Sequence, residues 1–189
     1  MIIENLIMIN FKANYINTVP IKTLNTTNNV YYSKAANFVE FDIKNSNDIA
    51  VINDVACLWR DNSFADNIAY DVNNANKGYF KKEPFRIFAL TSQKEGFDNL
   101  DSSEVLALAE VEKISDNNIF LEYLQVDPAI VYATGIPLIK RCGSAVLDSL
   151  KQLFNDKSIF LNSRTEKFYT KNGFVKIGQN QYFWNKLLK

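Results

Sequence analysis

Three segments between Ile119 and Phe174 decide the fold: IFLEYLQVDP (residues 119–128), KRCGSA (140–145) and NSRTEKFYTKNGF (162–174). The first is an apolar run that ends in Asp-Pro, which is typical of a buried strand stopping at a turn. The second opens a helix, Gly143–Phe154, whose apolar residues recur at helical spacing. The third predicts a short helix, Thr165–Asn172, because Gly173 is the usual helix-ending residue.

Outside this stretch, the hydrophobic pattern predicts further strands and helices. One helix is predicted from the capping residues at 45–48 to about Trp59, and a second at Ser63–Val72. The turn at 116–118 predicts a hairpin that joins the strands Glu104–Lys113 and Ile119–Val126. The other predicted strands are Asn37–Ile43, Arg86–Thr91, Ser158–Asn162 and Val175–Trp184. This mixture predicts an α/β (α+β) domain with a mixed sheet.

The first 35 residues give a weaker pattern. Met1–Phe11 is apolar and fits either a strand or a short helix, whereas Ile16–Tyr32 is rich in Thr and Asn and is predicted to be a loop. We therefore divide the chain into an amino-terminal extension of undetermined structure, residues 1–35, and one domain, residues 36–189. A chain of 189 residues has an ordinary size for one domain with such an extension.

The composition excludes several classes of catalytic and metal site. The chain has no histidine, which removes the Ser-His-Asp triad, the Cys-His dyad and every histidine-based metal site. Its two cysteines, Cys57 and Cys142, form no CxxC pair, so we expect neither a disulfide framework nor a zinc site. We therefore expect chemistry without a metal, carried by Tyr, Glu, Asp, Lys, Ser, Cys or backbone groups.

Charge and hydropathy bound the partners and the location. Lys+Arg and Asp+Glu are equal at 21 each, and this lack of a basic excess argues against nucleic acid as a partner. No segment approaches the ~20 apolar residues of a membrane span. Glu4 stands where a signal peptide would carry basic residues, so we expect a cytoplasmic protein that does not bind membranes.

The segment from Lys140 to Ala145 is a candidate anion site. It follows a buried strand and a connection containing Gly135 and Pro137, and it opens a helix. Free backbone N–H groups and the helix dipole favour an anion at such a position, and Gly143 would permit close approach. Taken alone, however, a glycine at a helix start is more often part of a turn.

These residues resemble a signature of the GNAT family of N-acetyltransferases. The family carries Arg/Gln-x-x-Gly-x-Gly/Ala at the start of this helix, after a strand that ends in Val-x-Pro. Val126-Asp127-Pro128 matches the strand end, and Lys140-x-x-Gly143-x-Ala145 matches the helix start with Lys in place of Arg or Gln. The connection between them is longer than in the compact family form.

A second family signature lies further along the chain. The family often shows Asn-x-x-Ala-x-x-Phe-Tyr followed shortly by Gly-Phe, and this sequence carries Thr165 in place of Ala. The residues in register are Asn162, Phe168, Tyr169, Gly173 and Phe174. The resemblance implies a mixed, mostly antiparallel central sheet with splayed middle strands, flanked by helices.

The resemblance also implies an activity, the direct transfer of an acetyl group from acetyl-CoA to an amine of a small molecule or a protein. Tyr169 would protonate the departing thiolate, and a carboxylate would take the proton of the amine. The residues expected to contact acetyl-CoA are Leu124, Gln125, Val126, Lys140, Arg141, Cys142, Gly143, Ser144, Ala145 and Asn162. The acceptor is not identified, and a homodimer stays open.

The candidates for the general base are acidic residues that lie within apolar strands. Glu110 and Glu112 share one strand face, and Glu122 lies on the next strand. Acidic side chains at such positions are costly unless they are paired or exposed. We favour Glu112 or Glu122, although a solvated strand face would explain any one of them. Cys142 stands at a helix start, where a thiol pKa tends to fall, but without a partner base it is better explained by packing.

Two rival functions remain open at this stage. The chain could be a catalytically degenerate GNAT fold that only binds acyl-CoA, or a toxin-type GNAT enzyme that acetylates aminoacyl-tRNA. Retention of Tyr169 counts against the first alternative. The neutral net charge counts against the second, because RNA binding depends on neutralising phosphates.

Overall fold

A single sheet organises the computed structural model, which describes residues 13–59, 64–79, 84–132 and 134–188. In those ranges the strands are β1 (Asn14–Asn25), β2 (Val30–Phe41), β3 (Phe85–Thr91), β4 (Val105–Ser115), β5 (Asn118–Val126), β6 (Ile139–Lys140), β7 (Ser158–Asn162), β8 (Val175–Lys176) and β9 (Gln181–Trp184). Their order across the sheet is β6-β1-β2-β3-β4-β5-β7-β9-β8. Neighbours are antiparallel except for β5 and β7, which are parallel.

Helices cover both faces of this sheet. They are α1 (Ser46–Leu58), α2 (Phe64–Asn76), α3 (Pro128–Val131), α4 (Cys142–Leu153) and α5 (Glu166–Lys171). The predicted capping of α1 is confirmed, because the Asn45 side chain accepts a hydrogen bond from the Asn47 N–H at 2.8 Å. The predicted end of α5 is also confirmed by Gly173, whose φ of 79° lies in the left-handed region that glycine tolerates. Within the described ranges, no helix is long and apolar enough to cross a membrane.

Each face of the sheet has its own hydrophobic core. On one face, α1 and α2 pack on the sheet through fully buried residues that include Ile52, Val55, Ile68 and Val72. On the other face, α4 and α5 contribute Val146, Leu147, Leu150 and Tyr169. The mixed, mostly antiparallel sheet flanked by helices confirms the predicted fold class.

The sheet opens between its two parallel strands. β5 pairs with β7 only from Asn118 to Leu121, whereas it pairs with β4 as far as Val126. Among the described residues, no strand therefore flanks residues 122–126 on the β7 side. The pairing of β4 with β5 also shifts between Glu110 and Val111, which leaves Glu122 as the extra residue of a bulge. The predicted splay of the middle strands is confirmed.

The prediction that Ile16–Tyr32 is a loop was wrong, since most of these residues belong to β1 and β2. The polar residues of β1 and its Pro20 suggested a loop. They fit a strand near the sheet edge, because β1 is flanked on its outer side, among the described residues, only by the two-residue β6. Strands near a sheet edge tolerate proline and polar residues. Val19 and Ile21 supply its buried face.

The proposed division of the chain stays a prediction, although β2 crosses the boundary at residue 36. Met1–Phe11, for which a strand and a helix were both open, lies outside the described residues. At the other end of the chain, the single strand predicted at Val175–Trp184 is two short antiparallel strands, β8 and β9, joined by a turn.

Candidate active site

Backbone groups of β5 line one side of the opening. Because residues 123–126 pair, among the described residues, with β4 alone, the alternate N–H and C=O groups that point away from β4 face the opening. The start of α4 lies against the same segment, since an added Cβ at Gly143 would stand 3.3 Å from Val126 Cγ2. The opening is thus bounded by polar backbone groups and by a helix start.

Two cavities occupy the opening, and Tyr169 lines both. The Glu122 cavity, of about 470 Å³, is lined by Phe64, Leu121, Glu122, Leu124, Asn162, Ser163, Arg164, Thr165, Tyr169 and Asn180. The Gly143 cavity, of about 360 Å³, is lined by Phe64, Leu124, Gln125, Val126, Pro128, Val131, Tyr132, Gly143, Ser163, Thr165, Phe168 and Tyr169. Five residues are common to both, so the cavities are adjoining parts of one site.

Tyr169 is held at this junction by an aromatic cluster. Its ring centroid lies 4.9 Å from that of Phe168, and 5.7 Å from those of both Phe174 and Tyr182. Burial raises the pKa of Tyr169 to about 12, and a hydrogen bond with the Ser163 side chain opposes that rise. The hydroxyl is therefore protonated throughout the neutral range and can donate a hydrogen bond.

The start of α4 presents backbone donors towards β5. The first hydrogen bond of the helix runs from the Ala145 N–H to the Arg141 carbonyl at 2.8 Å. The N–H groups of Cys142, Gly143 and Ser144 precede this bond and therefore have no acceptor within the helix. Arg141 caps the helix with a φ of 73° and no side-chain cap bond. Non-glycine residues seldom adopt this region, and such strain is often found at functional sites. The arrangement suits an anion.

Gly143 has a packing role as well as a place in the candidate anion site. An added Cβ would stand 3.0 Å from Phe168 Cζ, which is tighter than ordinary contact. Glycine at this position therefore lets α4 approach α5 and β5 closely. This packing accounts for the glycine even without a ligand.

The other predicted phosphate contacts differ in their surroundings. Lys140 Nζ lies 3.9 Å above the ring of Tyr31, and Arg141 lies 3.8 Å from Asp148 at the surface. Both side chains are exposed and could turn towards a phosphate. Ser144 is half-buried, whereas Ala145 is buried and its N–H is already donated within the helix, so a cosubstrate contact at Ala145 has no free backbone donor.

Cys142 is a packing residue in this structure. It is 2% exposed and belongs to the core beneath α4. Burial raises the pKa of the Cys142 thiol to about 12, which overrides the lowering expected at a helix start. Only its backbone N–H remains suited to the predicted cosubstrate contact.

The structure separates the candidate bases. Glu122 lies at the bulge of β5 and lines the Glu122 cavity together with Tyr169 and Asn162. Glu112 lies opposite Phe120 and Phe85 and is not among the described residues that line either cavity. Glu110 is fully buried. Of the two favoured carboxylates, the structure brings only Glu122 to the cavities.

Gln125 connects β5 to the start of α2. Its Oε1 accepts a hydrogen bond from the Ala65 N–H at 2.8 Å, and Phe64 packs against Tyr123 with ring centroids 5.5 Å apart. The Nε2 atom of Gln125 is buried and has no hydrogen-bond partner among the described residues. Gln125 was predicted to contact the cosubstrate, and its side chain additionally binds the start of the helix whose Phe64 lines both cavities.

Several lining residues were missed by sequence reasoning. Ser163, Arg164 and Thr165 lie inside the quoted 162–174 segment, and their position between the matched residues was an available signal. Phe64 and Asn180 reach the Glu122 cavity from distant elements, and no local pattern marks them.

In the part of the chain that the structure describes, no three His, Cys, Asp or Glu side chains are grouped as metal ligands.

Comparisons with solved structures identify the fold. The chain is similar to a protein of Desulfovibrio desulfuricans assigned to the GNAT family of acetyltransferases, with a TM-score of 0.54 and 12% identity over 80% of this chain and 99% of that chain. It is also similar to a GNAT-family acetyltransferase of Staphylococcus aureus Mu50, with a TM-score of 0.50 and 13% identity over the same shares of the two chains. No family model matches the sequence, and no curated protein matches it. The chain therefore has the GNAT fold, and at this identity the likeness extends to the fold alone.

Proposed function

We propose that this protein is an N-acetyltransferase that transfers an acetyl group from acetyl-CoA directly to an amine. The observation that carries the proposal is the opening between β5 and β7, which combines unpaired backbone, a helix start and a buried tyrosine in one site. Each of these features has a structural explanation of its own. Their coincidence in one opening matches the needs of thioester aminolysis.

The residues present fit acetyl-CoA as a cosubstrate. The N–H groups of Cys142, Gly143 and Ser144 would bind its pyrophosphate, with Lys140 and Arg141 adding positive charge. The backbone of residues 124–126 would bind the amides of its pantetheine arm, and Asn162 stands across the opening. Acetyl-CoA supplies the activated acyl group, and the protein holds it beside Tyr169.

Tyr169 acts at the sulfur. As the amine nitrogen bonds to the acyl carbon, the carbon–sulfur bond breaks and its electron pair passes to sulfur. With a pKa of about 12, Tyr169 is a weaker acid than a thiol, whose ordinary pKa is about 8.5. The hydroxyl therefore stabilises the developing thiolate mainly by donating a hydrogen bond, and solvent completes the protonation.

Glu122 would receive the amine proton. An amine is protonated at neutral pH and must lose a proton before it can attack. Glu122 shares its cavity with Tyr169, and a bridging water would suffice for the transfer.

The phosphate site is tested with Ser144→Glu and Ser144→Gln. Ser144 is the third residue of α4, where a glutamate suits the helix dipole but would repel a phosphate. We expect Ser144→Glu to fold normally and to lose at least about tenfold in acetyl-CoA affinity by calorimetry, whereas Ser144→Gln should bind like the parent. Gly143 is a poorer test because any larger residue there meets Phe168. Unchanged affinity in a folded Ser144→Glu variant would place the phosphates elsewhere.

The activity itself is tested by thiol release from acetyl-CoA across panels of small amines, peptides and proteins. Acetyl transfer to an amine supports the proposal. Binding of acetyl-CoA without transfer to any acceptor would instead identify a binding module. Transfer only to aminoacyl-tRNA would favour the toxin-type alternative.

A further inference from the structure

The two cavities divide the site into a cosubstrate side and an acceptor side. The Gly143 cavity contains the start of α4, where the phosphates would lie. The Glu122 cavity extends beyond Tyr169 to the turn between β8 and β9, through Asn180. If the thioester lies beside Tyr169, the acceptor must occupy the Glu122 cavity.

Charge distinguishes this acceptor side. Among its described lining residues the charged side chains are Glu122 and Arg164, while the Gly143 cavity has none. Arg164 is exposed and forms no ion pair with the described residues. Glu166, the nearest acid along the chain, is held by Lys176 at 2.5 Å. The guanidinium is therefore available to an incoming group.

The neighbours of Arg164 are suited to a carboxylate. Asn162, Ser163, Thr165 and Asn180 line the same cavity and offer amide and hydroxyl donors. A guanidinium binds a carboxylate in a bidentate manner, and nearby neutral donors complete its hydrogen bonding. Glu122, on the opposite side of the opening, suits the ammonium group.

We propose that the acceptor is an amine that also carries a carboxylate, of the size and charge of a free amino acid. Arg164 binds its carboxylate, and Glu122 faces its amino group. Phe64, Leu121 and Leu124 provide an apolar wall for the remainder of the molecule. This inference rests on the proposed acetyl transfer and names the substrate class of the same site.

Matched acceptors test the inference. We would measure kcat/KM for phenylalanine against phenylethylamine and phenylalaninamide, and for leucine against 3-methylbutylamine. The carboxylated member of each set should be preferred about 10–100-fold, as expected for a charge-assisted hydrogen bond. Arg164→Gln should abolish that preference while leaving the acetyl-CoA KM unchanged, and Lys167→Gln, an exposed charge on α5, should preserve it.

The outcomes separate this inference from the proposed function. Equal or better use of the decarboxylated amines, or acetylation of protein amines alone, would overturn the amino-acid assignment and leave acetyl transfer intact. A rise in acetyl-CoA KM in Arg164→Gln, equal for all acceptors, would assign Arg164 to a CoA phosphate instead. No transfer to any amine would overturn the proposed function itself.

Discussion

The two halves of β5 differ in pairing, and the difference separates structure from function within one strand. From Asn118 to Leu121 the strand is paired on both sides and contributes buried residues to the core. Beyond Glu122, the bulge residue, it pairs among the described residues with β4 only, as far as Val126, and its other edge faces the cavities. A strand that stops pairing in the middle of a sheet leaves backbone groups available to a ligand. The protein can thus keep a stable sheet while offering a polar edge inside it.

The largest expected effect comes from Tyr169, which lies on α5 and lines both cavities beside the open half of β5. Tyr169→Phe keeps the ring and its aromatic contacts but removes the hydroxyl that donates to the developing thiolate, so kcat should fall ~10²–10³-fold with little change in acetyl-CoA affinity or Tm. Tyr182→Phe is the matched control, because Tyr182 packs against Tyr169 but lines neither cavity. Steady-state kinetics and thermal unfolding of both variants would measure the two effects separately.

The pH profile provides a second measurement on Tyr169. Since burial raises its pKa to about 12, the hydroxyl stays protonated at a pH where an ordinary tyrosine ionises. The parent kcat should therefore show no tyrosine-dependent fall near about pH 10. A kcat for Tyr169→Phe close to that of the parent would remove Tyr169 from the mechanism.

Substitutions in the paired half of β5 should lower the free energy of unfolding and leave kcat unchanged. Ile119 is 2% exposed and lies between β4 and β7, so Ile119→Ala should lower the free energy of unfolding by about 2–5 kcal/mol. Ile119→Val should lower it by about 0.5–1.5 kcal/mol, which keeps the protein measurable if the alanine variant fails to fold. Chemical denaturation gives both values. If the folded Ile119→Val variant lost kcat as well, the two halves would not be functionally separate.

An effect smaller than that of Ile119→Ala is expected far from the opening, at Asp48 in α1. This carboxylate is 3% exposed and accepts a hydrogen bond from the Asp42 N–H at 2.7 Å. Burial, reinforced by the nearby Asp42, raises its pKa from 3.8 to about 6, although the hydrogen bond opposes the rise. The folded state therefore binds the proton more tightly than the unfolded state, and stability falls as pH rises from about 3.8 to about 6.

Asp48→Asn should remove that dependence. We expect the variant to be more stable than the parent by about 1–3 kcal/mol at neutral pH, and equally stable well below pH 3.8, where Asp48 is uncharged in both states. Urea denaturation across this pH range measures the difference. Activity should be unchanged, and an equal stability gap at every pH would show that Asp48 is not the titrating group.

The sequence was most informative where periodicity and spaced residues reinforced each other. The segments around Gly143 and Tyr169 predicted helices and strands because their apolar spacing and glycines constrain the backbone directly, whereas a shared site was predicted only through the resemblance to the GNAT family. It was least informative for β1, whose polar residues and Pro20 suit a strand beside a sheet edge. The choice between Glu112 and Glu122 could not be made from the sequence, because it depends on a bulge that shifts the register by one residue.

The connection between Pro128 and α4 has a consequence for how the protein folds. It is tied to the amino-terminal hairpin by β6, by the Leu24 N–H bond to the Leu138 carbonyl at 2.8 Å, and by Tyr31 and Pro137, which lie 106 residues apart in sequence. Contacts of such long range carry a large loop-closure entropy and tend to form slowly. We therefore expect the loop before α4 to reach its final shape late, after β4 and β5 have already paired. Newly made chains would therefore pair β4 with β5 before they complete the proposed phosphate site at the start of α4.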